Sequence, residues 1–366
     1  MYYIPFYNLE YQHKAIYNFL IEKTHKEIQQ GQFVNGEEVE FFEKRWRNYN
    51  SSKFCCTCAN GTDALELIFQ SISLQEGDEV IVPALSFIST VTSILKFRAK
   101  PVFCDIDPKC QTIDSSQIHE LVTVKTKAIV VVHLHGYLVD VQKIFKQIDD
   151  GNIIIIEDAA QAHGALHDNQ NPGKYSSVVA YSFYPTKNLG ALGDGGCVTT
   201  NDKVLYEEIQ LLKNYGSYDQ SNVVKYGRNS RLDTIQAAWL NVKLNKLDEW
   251  NLKRIEIASL YDNYLKDLPI ILPPLYQSRR HVYHHYVIQL EDNRRDELKV
   301  YLESKGVETK IHYPRTLNKL SIVKCGTVCP NAERVANRSL SLPIYPGLTN
   351  DQIDYICTQI SDFFKN

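Results

Sequence analysis

Between residues 54 and 214 the chain alternates short, unbroken apolar runs with stretches in which apolar residues recur every three or four positions. The runs at 54–59, 79–83, 101–106, 128–134, 153–157, 178–183 and 196–200 have the length of strands. Between them, 63–72 places Ala64, Leu65, Ile68, Phe69 and Ile72 on one helical face, and 88–97, 139–148 and 203–214 also read as helices. Strands that are apolar throughout are buried on both faces, and intervening helices imply a parallel or mostly parallel sheet, hence an α/β architecture. The first fifty residues read as helix-rich, with Val39, Phe42 and Trp46 at helical spacing within 37–46. After about residue 240 the rhythm changes. The pattern predicts one long helix over 241–265 carrying Trp250, an alternating strand over 282–290, a helix over 294–305, a strand over 306–313 and a terminal helix over 351–364. The expected organisation is a large domain over 1–240, including the N-terminal helical segment, and a smaller C-terminal α+β domain over 241–366.

Composition narrows the partners. A formal charge of −3 over 366 residues gives no global field for nucleic acid or an anionic membrane surface. The longest apolar runs, near Ile129 and Ile153, are strand-sized and far short of the roughly twenty residues that span a bilayer. The opening Met1-Tyr2-Tyr3-Ile4-Pro5 lacks a basic segment followed by an apolar stretch, so it does not read as an export signal, and a cytoplasmic protein is expected. Nine cysteines, an odd number, lie mostly in strand-like runs and read as reduced, packed thiols. Cys55, Cys58, Cys325 and Cys329 have poor metal-ligand spacing, and His133, His135, His284 and His285 lack a supporting carboxylate pattern, so no metal is expected. The alternation at 281–285 also fits histidines lining a sheet face.

Three strand ends carry candidate chemistry. Ile153-Ile154-Ile155-Ile156-Glu157-Asp158 ends a buried strand in a carboxylate, which needs a cationic or hydrogen-bonded partner or else caps a following helix. Ser182-Phe183-Tyr184-Pro185-Thr186-Lys187-Asn188-Leu189-Gly190 sets one lysine among rings and small residues, ahead of a glycine cluster at Gly193, Gly195 and Gly196. A lysine in a desolvated pocket keeps a neutral, nucleophilic amine within reach; one on a solvated turn does not. Ala59-Asn60-Gly61-Thr62-Asp63-Ala64 joins a strand to a helix, where free amides and the helix dipole suit a phosphate, though Gly-Thr is also simply a good turn and cap. In a mostly parallel sheet all three lie at the carboxyl edge, where ligands bind. The glycine patterns match neither the Gly-Lys-Ser/Thr phosphate loop nor the dinucleotide fingerprint.

Taken together, these segments, from Ile4-Pro5-Phe6 to Leu342-Pro343-Ile344-Tyr345-Pro346, resemble the DegT/DnrJ/EryC1/StrS sugar aminotransferases. The resemblance implies an aspartate-aminotransferase-like fold, the fold type I of pyridoxal 5'-phosphate (PLP) transferases, with PLP as cofactor and its pyridoxamine form as intermediate. It implies that Lys187 carries PLP, Asp158 pairs with the ring nitrogen and Gln161 meets the ring hydroxyl. Phe87 would stack on the ring, Gly61, Thr62 and Ser182 would hold the phosphate, and Asn229 would reach the phosphate of the neighbouring subunit in a homodimer. Tyr184, Lys225, Arg231, His312 and Tyr313 fall where a nucleotide-sugar would be contacted. Asn229 also reads as a turn residue, Lys225 and Arg231 as solvated charges, and His163 as packing beside the cofactor. Relatives with histidine in place of the lysine dehydrate their substrates; lysine here implies transamination. The Phe-Tyr-Pro-x-Lys-Asn-Leu-Gly pattern resembles enzymes acting at carbon 3 of a dTDP-linked 3-oxo-6-deoxyhexose, galacto ahead of gluco, with L-glutamate as donor, in the biosynthesis of O-antigen, S-layer or other glycans. The alternatives are a nucleotide-sugar 4-aminotransferase and a non-catalytic PLP-binding regulator.

Overall fold

The computed structural model describes residues 3–148, 151–219, 221–275, 277–323 and 325–365. Its main sheet has seven strands: β1 (Phe54–Cys58), β2 (Glu79–Pro83), β3 (Lys100–Cys104), β4 (Thr126–Val132), β5 (Ile154–Asp158), β6 (Val178–Ser182) and β7 (Gly196–Thr200). Their spatial order is β1-β7-β6-β5-β4-β2-β3. Pairing is parallel from β3 through β6, while β7 runs antiparallel to both β6 and β1. Strand β7 returns beside β6 through the lysine loop, without the helical crossover that a parallel neighbour requires. The carboxyl ends of β1, β5 and β6 therefore share one edge.

Alternate residues along each strand enter opposite cores. In β4, Ala128, Val130 and Val132 join a core with Val80, Val82 and Ile156, whereas Ile129 and Val131 pack with Ile81 and Ile155 on the other face. The covering helices are α1 (Glu10–Gln30), α2 (Glu37–Tyr49), α3 (Gly61–Ser71), α4 (Ser89–Leu95), α5 (Val141–Gln147) and α6 (Lys203–Leu212).

The later chain contributes α7 (Thr234–Leu244), α8 (Leu247–Leu265), α9 (Arg295–Ser304), α10 (Pro330–Arg338) and α11 (Asn350–Lys365), with a small antiparallel sheet of β8 (Ile270–Ile271), β9 (Tyr286–Leu290) and β10 (Ser339–Leu342). Two expectations fail here. The helix expected over 241–265 is two helices broken at Asn245 and Lys246. Leu240, Leu244 and Leu247 bury in the core beside β6 and β7, but Ile257, Tyr261 and Leu265 bury in the second core, so the axis must turn between two destinations. The strand expected over 306–313 reduces to single bridges, Val307 with Ile4 and Lys310 with Ser341. The neighbour of β9 is instead β10, whose serines hid it from an apolar scan. The chain also crosses back: Leu317, Cys329, Ala332 and Val335 pack on the main core, and Ile4 joins the second. That last contact delivers Phe6 and Tyr7 to the carboxyl edge of the main sheet.

Candidate active site

Helix α3 starts immediately after β1. Asn60 caps it by accepting the Asp63 amide at 2.8 Å. The amides of Gly61 and Thr62 have no acceptor among the described residues, so two donors and the positive end of the helix dipole face the cleft. Glycine is required at 61: a Cβ there would lie 2.6 Å from Ser182 Cβ. The Thr62 hydroxyl pairs with Ser89 Oγ at 2.7 Å, and Ser182 closes the far wall of the same cradle.

Lys187 follows β6 on a loop held from beneath. Asn188 is buried; its amide donates to Asn251 Oδ1 at 2.8 Å and to the Val282 carbonyl at 2.9 Å, and its Oδ1 faces His284 Nδ1 at 3.2 Å. The Leu189 amide donates to His163 Nδ1 at 3.2 Å. Phe183 wedges between Phe42, Trp46 and the His163 ring. The lysine is half-buried, and loss of solvation lowers its pKa to about 8, a fall that the Asp158 charge opposes. Asp158 is buried at the end of β5; desolvation raises its pKa, and the Ala160 amide, Lys187 and His133 pull it back. Its Oδ1 accepts the Ala160 amide at 3.1 Å, and no helix follows, so the capping role does not hold.

Gln161 is buried and spans two walls. Its Oε1 accepts the His135 amide at 2.7 Å, and its Nε2 donates to the Tyr313 hydroxyl at 3.0 Å. The Tyr313 ring lies 6.0 Å from that of Phe87, which is 52% exposed. Tyr184 is equally exposed, and His312 is fixed by Ser341 Oγ at 2.9 Å. One contiguous site thus gathers Asp158, Gln161, Lys187, Phe87 and Tyr313, with Gly61, Thr62 and Ser182 beside it at the N-terminus of α3.

Three further expected residues lie on the segment between α6 and α7, held by partners outside this group. Lys225 binds both carboxylate oxygens of Glu208 on α6 at 2.7 Å. Arg231 reaches Asn214 Oδ1 at 3.4 Å and lies over the Tyr215 ring. Asn229 is exposed, its backbone bridged to Asn214, while neighbouring Ser230 ties the segment to Asp63 and the Ala59 amide.

Sequence reasoning passed over Asn188 and Tyr7, weighed His284 only as a metal ligand or a sheet-face residue, and took His163 as packing beside the cofactor. Asn188 stood in the lysine motif, so a buried amide beside the nucleophile was a usable signal; the others arrive from distant segments and carried none. His133 binds Glu157 Oε2 at 2.6 Å. Among the described residues no cluster of three metal-ligating side chains occurs, and all nine cysteines are free thiols.

Residues 15–361 match the DegT/DnrJ/EryC1/StrS aminotransferase family. The chain belongs to this family. It is 36% identical, over 98% of its length and 99% of the relative's, to the dTDP-3-amino-3,6-dideoxy-alpha-D-galactopyranose transaminase of Aneurinibacillus thermoaerophilus. It is 37% identical to the dTDP-3-amino-3,4,6-trideoxy-alpha-D-glucose transaminase of Streptomyces venezuelae, covering 95% of this chain and 93% of that one. A pleiotropic regulatory protein of Geobacillus stearothermophilus is 36% identical over 99% of both chains. Among solved structures, S. venezuelae DesV in complex with a ketimine intermediate superposes with a TM-score of 0.96 at 33% identity, covering all of both chains. NtdA of Bacillus subtilis with bound cofactor PMP gives 0.94 at 29% identity, covering all of this chain and 86% of that one. This family member is a PLP-dependent sugar aminotransferase of the α/β transferase fold. Among the described residues no helix is long and apolar enough to cross a membrane.

Proposed function

We propose that this aminotransferase moves the amino group of L-glutamate to carbon 3 of a dTDP-linked 3-oxo-6-deoxyhexose, releasing 2-oxoglutarate and the 3-amino-3,6-dideoxy sugar, with the galacto substrate preferred over the gluco. The observation that carries the reading is the Lys187–Asp158 pair, an amine of lowered basicity and a buried acid, at the ends of the adjacent strands β6 and β5. The identity shared with dTDP-3-amino sugar transaminases across nearly the whole chain supports the substrate class.

The residues present fit PLP. The free amides of Gly61 and Thr62, with Ser182 across a gap too narrow for a β-carbon, suit its phosphate. Asp158 would hold a protonated ring nitrogen, Gln161 would meet the ring hydroxyl, Phe87 would cover the ring face and Lys187 would engage the aldehyde. When bound, the cofactor supplies an electrophile for amines and a sink for the electron pair left at carbon. Asp158 would keep that sink charged, because among the described residues its carboxylate finds one backbone donor and needs a cation in a buried place. Lys187, poised near neutrality, can take a proton from the donor's α-carbon and later return one to the sugar carbon. The clamp on Asn188 and Leu189 fixes where that amine can reach. Tyr184, Lys225, Arg231, His312 and Tyr313 are proposed for the sugar nucleotide. Asn229, exposed on an ordered segment, is proposed to complete the site of a second copy in a homodimer.

A non-catalytic PLP-binding regulator would hold the cofactor with the same pair but release no 2-oxoglutarate, so turnover separates the two readings. Purified enzyme with PLP and L-glutamate should convert dTDP-3-oxo-6-deoxygalactose fastest, with one 2-oxoglutarate released per amino sugar. Turnover confined to 4-oxo sugars would overturn the carbon-3 assignment.

A further inference from the structure

A chain of side chains that the reaction does not use leaves the cleft and ends inside the protein. The Tyr7 hydroxyl lies 2.9 Å from His285 Nε2, and His285 Nδ1 lies 3.2 Å from His135 Nδ1. The last atom, His135 Nε2, is buried and has no hydrogen-bond partner among the described residues. Both rings are almost fully enclosed, His285 is stacked on His312 at 3.8 Å, and His135 is pinned through its amide to Gln161. Tyr7 is half-buried and abuts the lysine loop, with Thr186 and Tyr184 among its neighbours. Its ring also lies under Lys310, at 5.2 Å.

A neutral imidazole carries one proton on two nitrogens, so a contact between two Nδ1 atoms works only if one ring donates and the other accepts. The whole chain then has two states. In one, Tyr7 donates to His285, His285 donates through Nδ1 to His135, and His135 carries its proton on the orphaned Nε2. In the other every bond is reversed: His135 donates through Nδ1, His285 donates through Nε2 to the Tyr7 oxygen, and His135 Nε2 is bare. Burial keeps both rings neutral, with their pKa values well below the usual range. An unpartnered buried N–H is the rarer and costlier orphan, so the second state prevails. In it the Tyr7 oxygen already has its donor, and its own proton is free for Thr186 or the cleft.

We propose that Tyr7 is a substrate-contacting residue that donates a hydrogen bond to an oxygen of the bound sugar, and that His285 and His135 are positioning residues that fix this polarity from inside the protein. This rests on the sugar aminotransferase reading above and adds a contact that sets how the sugar lies.

The test has two arms. With ¹⁵N-histidine in the full-length protein, imidazole nitrogen shifts assigned through His135→Gln and His285→Asn should show wild-type His135 protonated at Nδ1 and bare at Nε2. In Tyr7→Phe both states leave one orphan donor and one orphan acceptor, so the His135 tautomers should mix although Tyr7 does not touch that ring. A wild-type His135 protonated at Nε2, or a tautomer unmoved by Tyr7→Phe, overturns the relay, whatever the substrate. In the second arm, Tyr7→Phe should raise KM for the dTDP-ketosugar about tenfold, one hydrogen bond's worth, and leave KM for L-glutamate within about twofold. His135→Gln should repeat the effect in weaker form. An unchanged sugar KM, or equal rises for both substrates, overturns the contact. If the wild-type enzyme turns over no nucleotide-ketosugar, the functional reading fails and the first arm still decides the relay.

Discussion

The lowered basicity of Lys187 gives a quantitative expectation. Its pKa of about 8 lies below the ordinary 10.5, because burial strips water from the ammonium. At pH 7 about one amine in ten is then neutral, against about one in three thousand for an ordinary lysine, a gain of roughly three hundredfold in reactive form. The difference corresponds to about 3 kcal/mol of lost ammonium solvation, after the attraction of Asp158 has returned part of it. Asp158→Asn removes that attraction, so the lysine pKa should fall further. In cofactor-free protein the rate at which a small acylating reagent labels Lys187, followed by mass spectrometry of its peptide from pH 6 to 10, should show a midpoint near 8, moved lower in Asp158→Asn. Accessibility scales the rate and leaves the midpoint in place. A midpoint at 10 or above, or one raised by Asp158→Asn, would refute the electrostatic argument.

Gly61→Ala places a methyl 2.6 Å from Ser182 Cβ and should weaken PLP binding about tenfold or more by disturbing a charge-assisted contact, measured as cofactor retained through dialysis. Asn188→Ala strands buried partners on Asn251, Val282 and His284, and should cost roughly 2–5 kcal/mol in urea unfolding together with a drop in kcat. Buried His163 and His281 have pKa values lowered to about 3. The unfolded chain therefore binds more protons below about pH 6.5, and stability should fall as pH drops from there towards 4, with a slope of up to about 1.4 kcal/mol per pH unit for each ring; a flat stability profile would contradict their neutrality. For the proposed homodimer, equal co-expression of Lys187→Ala and Asn229→Ala chains should restore about a quarter of wild-type activity, because half the dimers would hold one intact site if Asn229 acts across the interface. No recovery would place Asn229 outside the partner's site.

The strands of the main sheet were legible because successive residues, such as Ile129 and Val130 or Ile155 and Ile156, are apolar and so fill both faces. Lys187, Asp158 and Gly61 were legible for a related reason: each breaks the local pattern at a strand end. Elements whose placement depends on distant partners were not. Ser339 and Ser341 give no apolar signal, yet they lie in a buried strand because β9 supplies a ladder. The turn between α7 and α8 arises from two cores that compete for one helix, which no window of sequence contains. Tyr7 was invisible for the same reason, since its partner His285 lies 278 residues away.

The central claim is that one lysine and one acid at the sheet edge, acting through PLP, pass an amino group from glutamate to a nucleotide-linked ketosugar. Its most direct measurement is transfer of label from [¹⁵N]-L-glutamate, read by mass spectrometry of the sugar nucleotide formed by wild type and Lys187→Ala. We expect one ¹⁵N in the 3-amino sugar from the wild-type enzyme and none from Lys187→Ala. An unlabelled sugar from wild type, or full labelling by the alanine variant, would contradict the account.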